Sequence, residues 1–250
     1  MIKRILVVVA CIVSSLTVGF AKGKNSLRVM SYNIRIGMGF DMQTNLLDEV
    51  GDVIAKINPD FVGLQEVDSV AERSLWVDQM AALAKKTNMY PVFAPATERS
   101  KGLYGIGALC KETPLSYRNI PLPGTEEPRA FLLLEFKDYV LCNTHLSLDE
   151  ESRLKSIEII TEVAKTYNKP MLITGDFNMV PDSREFKRMC EDWHLLSDPS
   201  IKTFPSNRPE ERLDYIFGNQ GYTFNIHKDM VIDVMSSDHL PIYLDVSFSL

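Results

Sequence analysis

The run Leu172-Ile173-Thr174-Gly175-Asp176-Phe177-Asn178 decides how this chain is read. A short apolar strand ends there in a carboxylate and a carboxamide two positions apart. Side chains of a strand alternate between two faces, so Asp176 and Asn178 share a parity and can point into one cleft from a rigid support. That pair suits phosphate-ester chemistry. An aspartate can orient or deprotonate a water, and a neutral carboxamide can donate a hydrogen bond to a phosphoryl oxygen without adding negative charge. The same tetrapeptide also reads as a solvated loop after an edge strand, so the other strand ends must decide between the two.

Outward from this run the chain alternates strands and helices. Before it, strands are predicted at Leu27 to Ile34, Phe61 to Leu64, Ile106 to Cys110, Phe131 to Phe136 and Tyr139 to Asn143, with a short extended piece from Tyr90 to Phe93. Leu46, Val50, Val53, Ile54 and Ile57 recur at helical spacing until Asn58 and Pro59 stop them. Further helices are predicted from about Leu75 to Lys86, with Trp76, Met80 and Leu83 on one face, from Glu150 to Tyr167, and around Phe186 to Trp193. Leu213 to Phe217, Phe224 to His227 and Ile242 to Phe248 close the chain as strands, the last alternating apolar and polar residues. The strand ends are polar throughout: Asn33, then Gln65 and Glu66, then His145, and in the closing segments Asp214, Asp238 and His239. Each is unremarkable alone as a turn residue, cap or surface charge. Together they point to chemistry, because loops at strand ends are where rigid scaffolds carry it.

Composition bounds the partners. With 250 residues and 45% hydrophobic content the chain can bury one sizeable core, and one domain, residues 22–250, is expected. Residues 1–21 read separately as a secretory signal peptide: Lys3 and Arg4 precede an apolar run from Ile5 to Phe20, and Gly19-Phe20-Ala21 suits a small-residue cleavage site. A membrane anchor is the alternative, but the run falls short of the roughly 20 residues a spanning helix needs and Ser14, Ser15 and Thr17 dilute it. Lipidation at Cys11 is a lesser option, since cleavage there would leave a very short hydrophobic segment. Export to the periplasm or medium, with no stable membrane insertion after cleavage, is the expectation. Loss of Lys3 and Arg4 leaves 25 basic against 33 acidic residues, and no Lys/Arg run marks a nucleic-acid patch. Cys110, Cys142 and Cys190 form no CxxC pair, so neither a disulfide framework nor a zinc knuckle is indicated, and all three are expected as small buried hydrophobes.

Six separated motifs carry a resemblance. SYNIR at 31–35, GLQEVD at 63–68, NTHL at 143–146, GDFN at 175–178, RLDYIF at 212–217 and SDHLP at 237–241 resemble, in order and spacing, the endonuclease/exonuclease/phosphatase superfamily. The likeness runs from about residue 27 to the C-terminus. Trp76 to Ala84, Phe93 to Glu98 and TFPS at 203–206 look like its bacterial metal-dependent hydrolase branch. The resemblance implies an α+β fold, a four-layer α/β/β/α sandwich of two mixed sheets flanked by helices, with the site at one rim. It also implies an enzyme that hydrolyses a phosphodiester or phosphomonoester.

Carried over residue by residue, the resemblance makes Glu66 the principal ligand of Mg2+ or Mn2+, with Asn33 beside it and Asp238 able to approach the metal or orient the water. Asp176 would activate the attacking water, and Asn178 and His145 would hold the phosphoryl group. His239 would face the scissile phosphate, with Asp214 favouring its protonated form. The chain departs from several DNA-repair members at Arg35, where they carry an acid. Arg35 could bind substrate phosphate or simply cover the sheet with its stem, and Arg153 is left outside the expected site. A small phosphate ester is the expected substrate. A secreted nuclease acting on DNA or RNA and a sphingomyelinase-like lipid phosphodiesterase stand as alternatives, while a catalytically idle binding module is disfavoured because the ligand and water-handling positions are all filled.

Overall fold

The computed structural model describes residues 25–249; the predicted signal peptide and Cys11 lie outside them. Among the described residues, twelve strands form two six-stranded mixed sheets. The first sheet runs β11 (Thr223–Val231), β12 (Ile242–Ser249), β1 (Ser26–Asn33), β2 (Phe61–Ser69), β4 (Gly102–Cys110), β3 (Tyr90–Arg99). The second runs β5 (Ser116–Leu122), β6 (Arg129–Glu135), β7 (Val140–His145), β8 (Met171–Asp176), β10 (Asp214–Asn219), β9 (Trp193–Leu195). Helices α1 (Leu47–Ile57) and α2 (Gln79–Thr87) cover the outer face of the first sheet, and α3 (Glu150–Ala164) and α4 (Arg184–Asp192) that of the second. This is the expected four-layer sandwich.

Strand alternation builds the layers. Leu27, Val29, Phe61, Ile106 and Leu244 meet Leu132, Leu134, Leu141, Leu172 and Ile216 between the sheets. Met30, Tyr32, Val62 and Leu64 face the other way, onto Val50, Ile54 and Leu83 of the helices. Parallel pairing occurs twice, β1 with β2 across α1 and β7 with β8 across α3. A crossover helix returns the chain so that both strands of a pair end at the same edge, which brings Asn33 beside Gln65 and His145 beside Asp176. Strands antiparallel to these begin at that edge. Asp214 therefore opens β10, in register with Asp176, and Asp238 and His239 precede β12, rather than following apolar strands as the sequence implied.

Several boundaries differ from expectation for local physical reasons. The helix predicted from Leu75 starts at Gln79, because Asp78 caps it by accepting from Ala81 N at 3.0 Å while Leu75 and Trp76 adopt left-handed backbone (φ 60° each). Trp76 is thus an exposed loop residue rather than part of a buried helix face. The α3 helix stops at Ala164, with Thr166 and Tyr167 closing a tighter turn on Val163 and Ala164 carbonyls. Trp193 leaves α4 to open edge strand β9, its indole N–H donating to Thr161 Oγ1 at 3.1 Å. Edge strands β3 and β11 run longer than predicted, each carried on by a bulge, and β5 was not foreseen because its exposed polar residues show no alternation. Cys110 and Cys142 are buried, whereas Cys190 is exposed on α4.

Near the rim where these strand ends meet, the inter-sheet layer turns polar. Asn143 donates to the carbonyls of Leu64 and Gly107, each at 2.8 Å, where a β-bulge at Gln65 and Glu66 interrupts the β2–β4 ladder. Its Oδ1 accepts from Gln65 Nε2 at 2.6 Å. Gly63 makes room for this cluster: a Cβ there would lie 2.1 Å from Thr174 Oγ1 and 2.5 Å from Asn143 Oδ1. Gly63→Ala is therefore expected to cost about 2 kcal/mol or more through overpacking, read as a lowered midpoint in thermal unfolding.

Candidate active site

The bulge in β2 aims the site's first carboxylate. Glu66 sits at φ 54°, which breaks the regular alternation of the strand at the bulge and aims the side chain toward the rim. Asn33 ends β1 with its Oδ1 taken by the Arg35 N–H at 3.0 Å, and its amide nitrogen donates both to Glu66 Oε1 at 3.1 Å and to Asp176 Oδ2 at 3.0 Å. One carboxamide thus joins acids from two different sheets. Burial raises the Glu66 carboxyl above its usual range, opposed by the Asn33 hydrogen bond and reinforced by Asp238.

Asp176 is buried at the end of β8, flanked by His145 and Asp214 in the strand register. Both histidines turn Nε2 toward its Oδ2, each at 3.6 Å. Their other nitrogens meet opposite environments. His239 Nδ1 faces Asp214 Oδ2 at 3.0 Å, while His145 Nδ1 faces the Arg129 guanidinium at 3.1 Å. Burial works against charge on His239, but the Asp214 and Asp176 carboxylates overcome it and raise its pKa. Burial pulls His145 well below the ordinary imidazole value, and the charges of Arg129 and His239 add to the fall. The Asp176 carboxyl is itself raised by burial, against the pull of the His239 charge.

Asn178 reaches the cleft by a different route from the one its parity implied. The strand ends at Asp176, Asn178 takes a left-handed conformation (φ 49°), its N–H returns to Asp176 Oδ1 at 3.0 Å, and its carboxamide donates to the Leu146 carbonyl at 2.9 Å. The GDFN segment is a tight turn that holds Asp176, with Asn178 on the cleft wall. Asp238 lies beside Arg35, whose Nε is 3.2 Å from its Oδ2 and whose guanidinium also covers the Phe40 ring. The segment carrying Asp238 and His239 is fastened by Ser237 Oγ donating to the Asn33 carbonyl at 2.7 Å and by Ser206 donating to the Ser237 carbonyl at 2.6 Å.

All eight residues expected from the sequence therefore gather at one rim. The structure adds Arg129, buried between Glu126, Glu127 and His145; Phe204, whose ring packs 4.7 Å from the His239 ring; and Tyr104 on the cleft wall. Arg153 lines the cleft too, tied to Glu185 at 2.7 Å and to the Ser147 carbonyl. Phe204 lies in the TFPS segment at 203–206 that resembles the bacterial branch, while Arg129, Tyr104 and Arg153 carried no sequence signal beyond residue type. The cleft encloses about 530 Å³ and mixes acids, two arginines and apolar walls.

A divalent cation has two places to be considered. Asp176, Asp214 and His239 bring one ligand atom each within 4.8 Å of one another, but an imidazole held charged by two carboxylates has no lone pair to offer a metal. Glu66, with Asp238 on the same rim, supplies oxygen donors of the kind a hard cation takes, and the Asn33 Oδ1, which accepts from the Arg35 N–H, keeps a second lone pair. The crowding of Glu66, Asp176 and Asp238 around so few cations fits one. Arg35 pairs with Asp238 and His239 faces Asp176, while His239 and Arg129 are the charges that act on Glu66.

Comparison with known proteins bears on the family and the fold. The Endonuclease/Exonuclease/phosphatase family matches residues 30–239, and no curated protein matches the sequence. Among solved structures, an endonuclease/exonuclease/phosphatase family protein from Bacteroides thetaiotaomicron superposes with TM-score 0.75 at 18% identity, covering 90% of this chain and 98% of that one. One from Beutenbergia cavernae gives 0.73 at 22% identity, covering 90% and 72%. A mannosyl-6-phosphatase from Bacteroides thetaiotaomicron gives 0.72 at 18% identity, covering 89% and 100%. At such identities the structures share a fold, and the match across residues 30–239 carries the assignment: the chain belongs to the endonuclease/exonuclease/phosphatase family and is a hydrolase of phosphate esters.

Proposed function

We propose that this protein is an exported phosphoesterase, dependent on Mg2+ or Mn2+, that cleaves a small phosphodiester or phosphomonoester. The observation that carries the reading is the convergence of Glu66 and Asp176 on one Asn33 amide, with His145 and His239 both turned toward Asp176. Asn33, Glu66 and Asp238 would hold the cation, which when bound supplies charge neutralisation for a phosphoryl oxygen. Asp176 accepts a proton from the attacking water and, buried on a strand end, keeps its direction. His239, charged by its contact with Asp214, donates from Nε2 to phosphate oxygens as negative charge builds on them. His145 and Asn178 line the same cleft and restrict where the phosphoryl group can lie.

Cleft size supports a small substrate. Its two arginines are already neutralised by Glu126, Glu127 and Glu185, so little positive charge is left to follow a nucleic-acid backbone. The test is turnover by residues 22–250 on a panel of bis-aryl phosphodiester, aryl phosphate, sugar phosphates, sphingomyelin, DNA and RNA, with and without Mg2+ or Mn2+. Sugar phosphates belong in the panel because one structural neighbour is a mannosyl-6-phosphatase. Metal-dependent turnover of a small ester is expected; no turnover of any member would overturn the reading. Export is checked by fractionating cells that express the full chain.

The charge state of His239 gives a pH prediction. Asp214 raises its pKa, so the donor form persists into alkaline solution; Asp214→Asn removes that support and the imidazolium is lost at lower pH. The alkaline limb of the kcat profile is expected to move to lower pH in Asp214→Asn, with the difference from wild type growing as pH rises.

A further inference from the structure

Two imidazoles face one carboxylate in this site, and only one has a carboxylate behind it. Arg129 opens β6 almost fully buried, and its donors are distributed one by one. Nε and Nη2 go to Glu126 Oε1 at 3.2 and 2.6 Å. Nη1 lies 3.0 Å from Glu127 Oε1 and 3.1 Å from His145 Nδ1. Glu126 is itself pinned by Ser147 Oγ at 2.7 Å and Leu148 N at 2.9 Å, and Glu127 also pairs with Arg99. The fork is held at both ends and its direction is fixed.

A guanidinium has five N–H donors, no acceptor, and does not lose its proton in proteins. Whatever atom it meets must accept. We propose that Arg129 is a positioning residue which fixes His145 as the neutral tautomer, with Nδ1 bare and the proton on Nε2, so that an uncharged N–H donor faces the phosphoryl site beside the charged donor of His239. This inference rests on the phosphoesterase reading for its consequence in turnover, though not for the tautomer itself. Its value to the reaction follows from the neighbours. A second imidazolium 3.6 Å from Asp176 would compete with the metal for the acids and hold the water-activating carboxylate in an ion pair. The opposite tautomer would turn a lone pair toward anionic phosphate. Arg129 excludes both, and the low pKa that burial and its charge give His145 is consistent with that.

The test is a long-range ¹H–¹⁵N correlation spectrum of the folded chain labelled at histidine, of which there are four, assigned by single His→Gln variants. His145 is expected to show an unprotonated Nδ1 and a protonated Nε2 throughout the neutral range, whereas His239 shows two protonated nitrogens. Arg129→Met should mix the His145 tautomers and lower kcat by about 10- to 100-fold. In a double-mutant cycle with His145→Ala the two losses should fail to add. A protonated Nδ1 on wild-type His145 overturns the proposal, and so does an Arg129→Met protein that loses activity with its His145 tautomer unchanged. The wild-type spectrum decides the tautomer even where the variant does not fold. An expected spectrum from a protein inactive on the whole substrate panel would overturn the function instead and leave the tautomer assignment standing.

Discussion

Asp176→Asn is expected to lower kcat by about 10³-fold or more while the protein stays folded, since loss of a positioned general base typically costs 10²- to 10⁴-fold. The substitution is isosteric, yet it removes more than a charge. Asp176 Oδ2 accepts from Asn33 and faces both histidines, and Oδ1 accepts from the Asn178 N–H. An asparagine has one acceptor oxygen, so one of the two N–H donors is left against an NH₂ group at a cost of about 1 to 2 kcal/mol. For a domain of this size that is a drop in Tm of a few degrees. Far-UV circular dichroism and a thermal melt read the fold, and single-turnover kinetics read the chemistry. An Asp176→Asn enzyme with near-wild-type kcat would remove Asp176 from the reaction.

The second large effect is expected at Glu66. Glu66→Gln keeps the shape and an acceptor for Asn33 but removes the one carboxylate that the β2 bulge delivers to this corner. A hard cation held by oxygen donors loses both charge and ligand strength there. The metal concentration for half-maximal activity should rise at least about tenfold, and kcat at saturating metal should fall by about 10²-fold or more because phosphoryl charge is then less well neutralised. Activity measured against Mg2+ and Mn2+ concentration separates the two effects. An unchanged metal titration would place the cation away from Glu66. Because burial raises the Glu66 carboxyl in the metal-free protein, the neutral glutamine should leave metal-free stability intact, a control that a merely destabilising substitution would fail.

Much of this site is legible in the residues because the strands themselves are. Apolar runs ending in Asn33, His145 and Asp176 mark where strands stop, and a polar group at each end is the trace of a shared rim. Local pattern fails where local backbone departs from regular geometry. GDFN looked like a strand with two same-face side chains; in the folded chain Asp176 ends the strand and Asn178 turns back on it. The helix predicted from Leu75 yielded to the Asp78 cap, and the edge strand β5 lacks alternation because neither face is deeply buried. Gln65 and Glu66 read as the polar end of a strand closing at Leu64; the strand runs on to Ser69, and a bulge at this pair keeps one side chain inside the polar layer and brings the other to the rim.

By itself the sequence determined most strands and helices, the polar strand ends and, through six ordered motifs, a family resemblance that implied the layers, since hydrophobic periodicity and ordered motifs are properties of the chain taken segment by segment. Tertiary structure decided the rest. Asn33 and Asp176 stand far apart along the chain and on different sheets, and only the packing of those sheets puts an amide nitrogen 3.0 Å from a carboxylate oxygen. Arg129 has no motif, and its hold on His145 exists only because β6 and β7 pair in a register that sets Ala130 opposite His145. The reason is physical: charge state and tautomer depend on what lies within a few ångströms, and that neighbourhood is assembled by strand pairing and sheet packing rather than by adjacency in sequence.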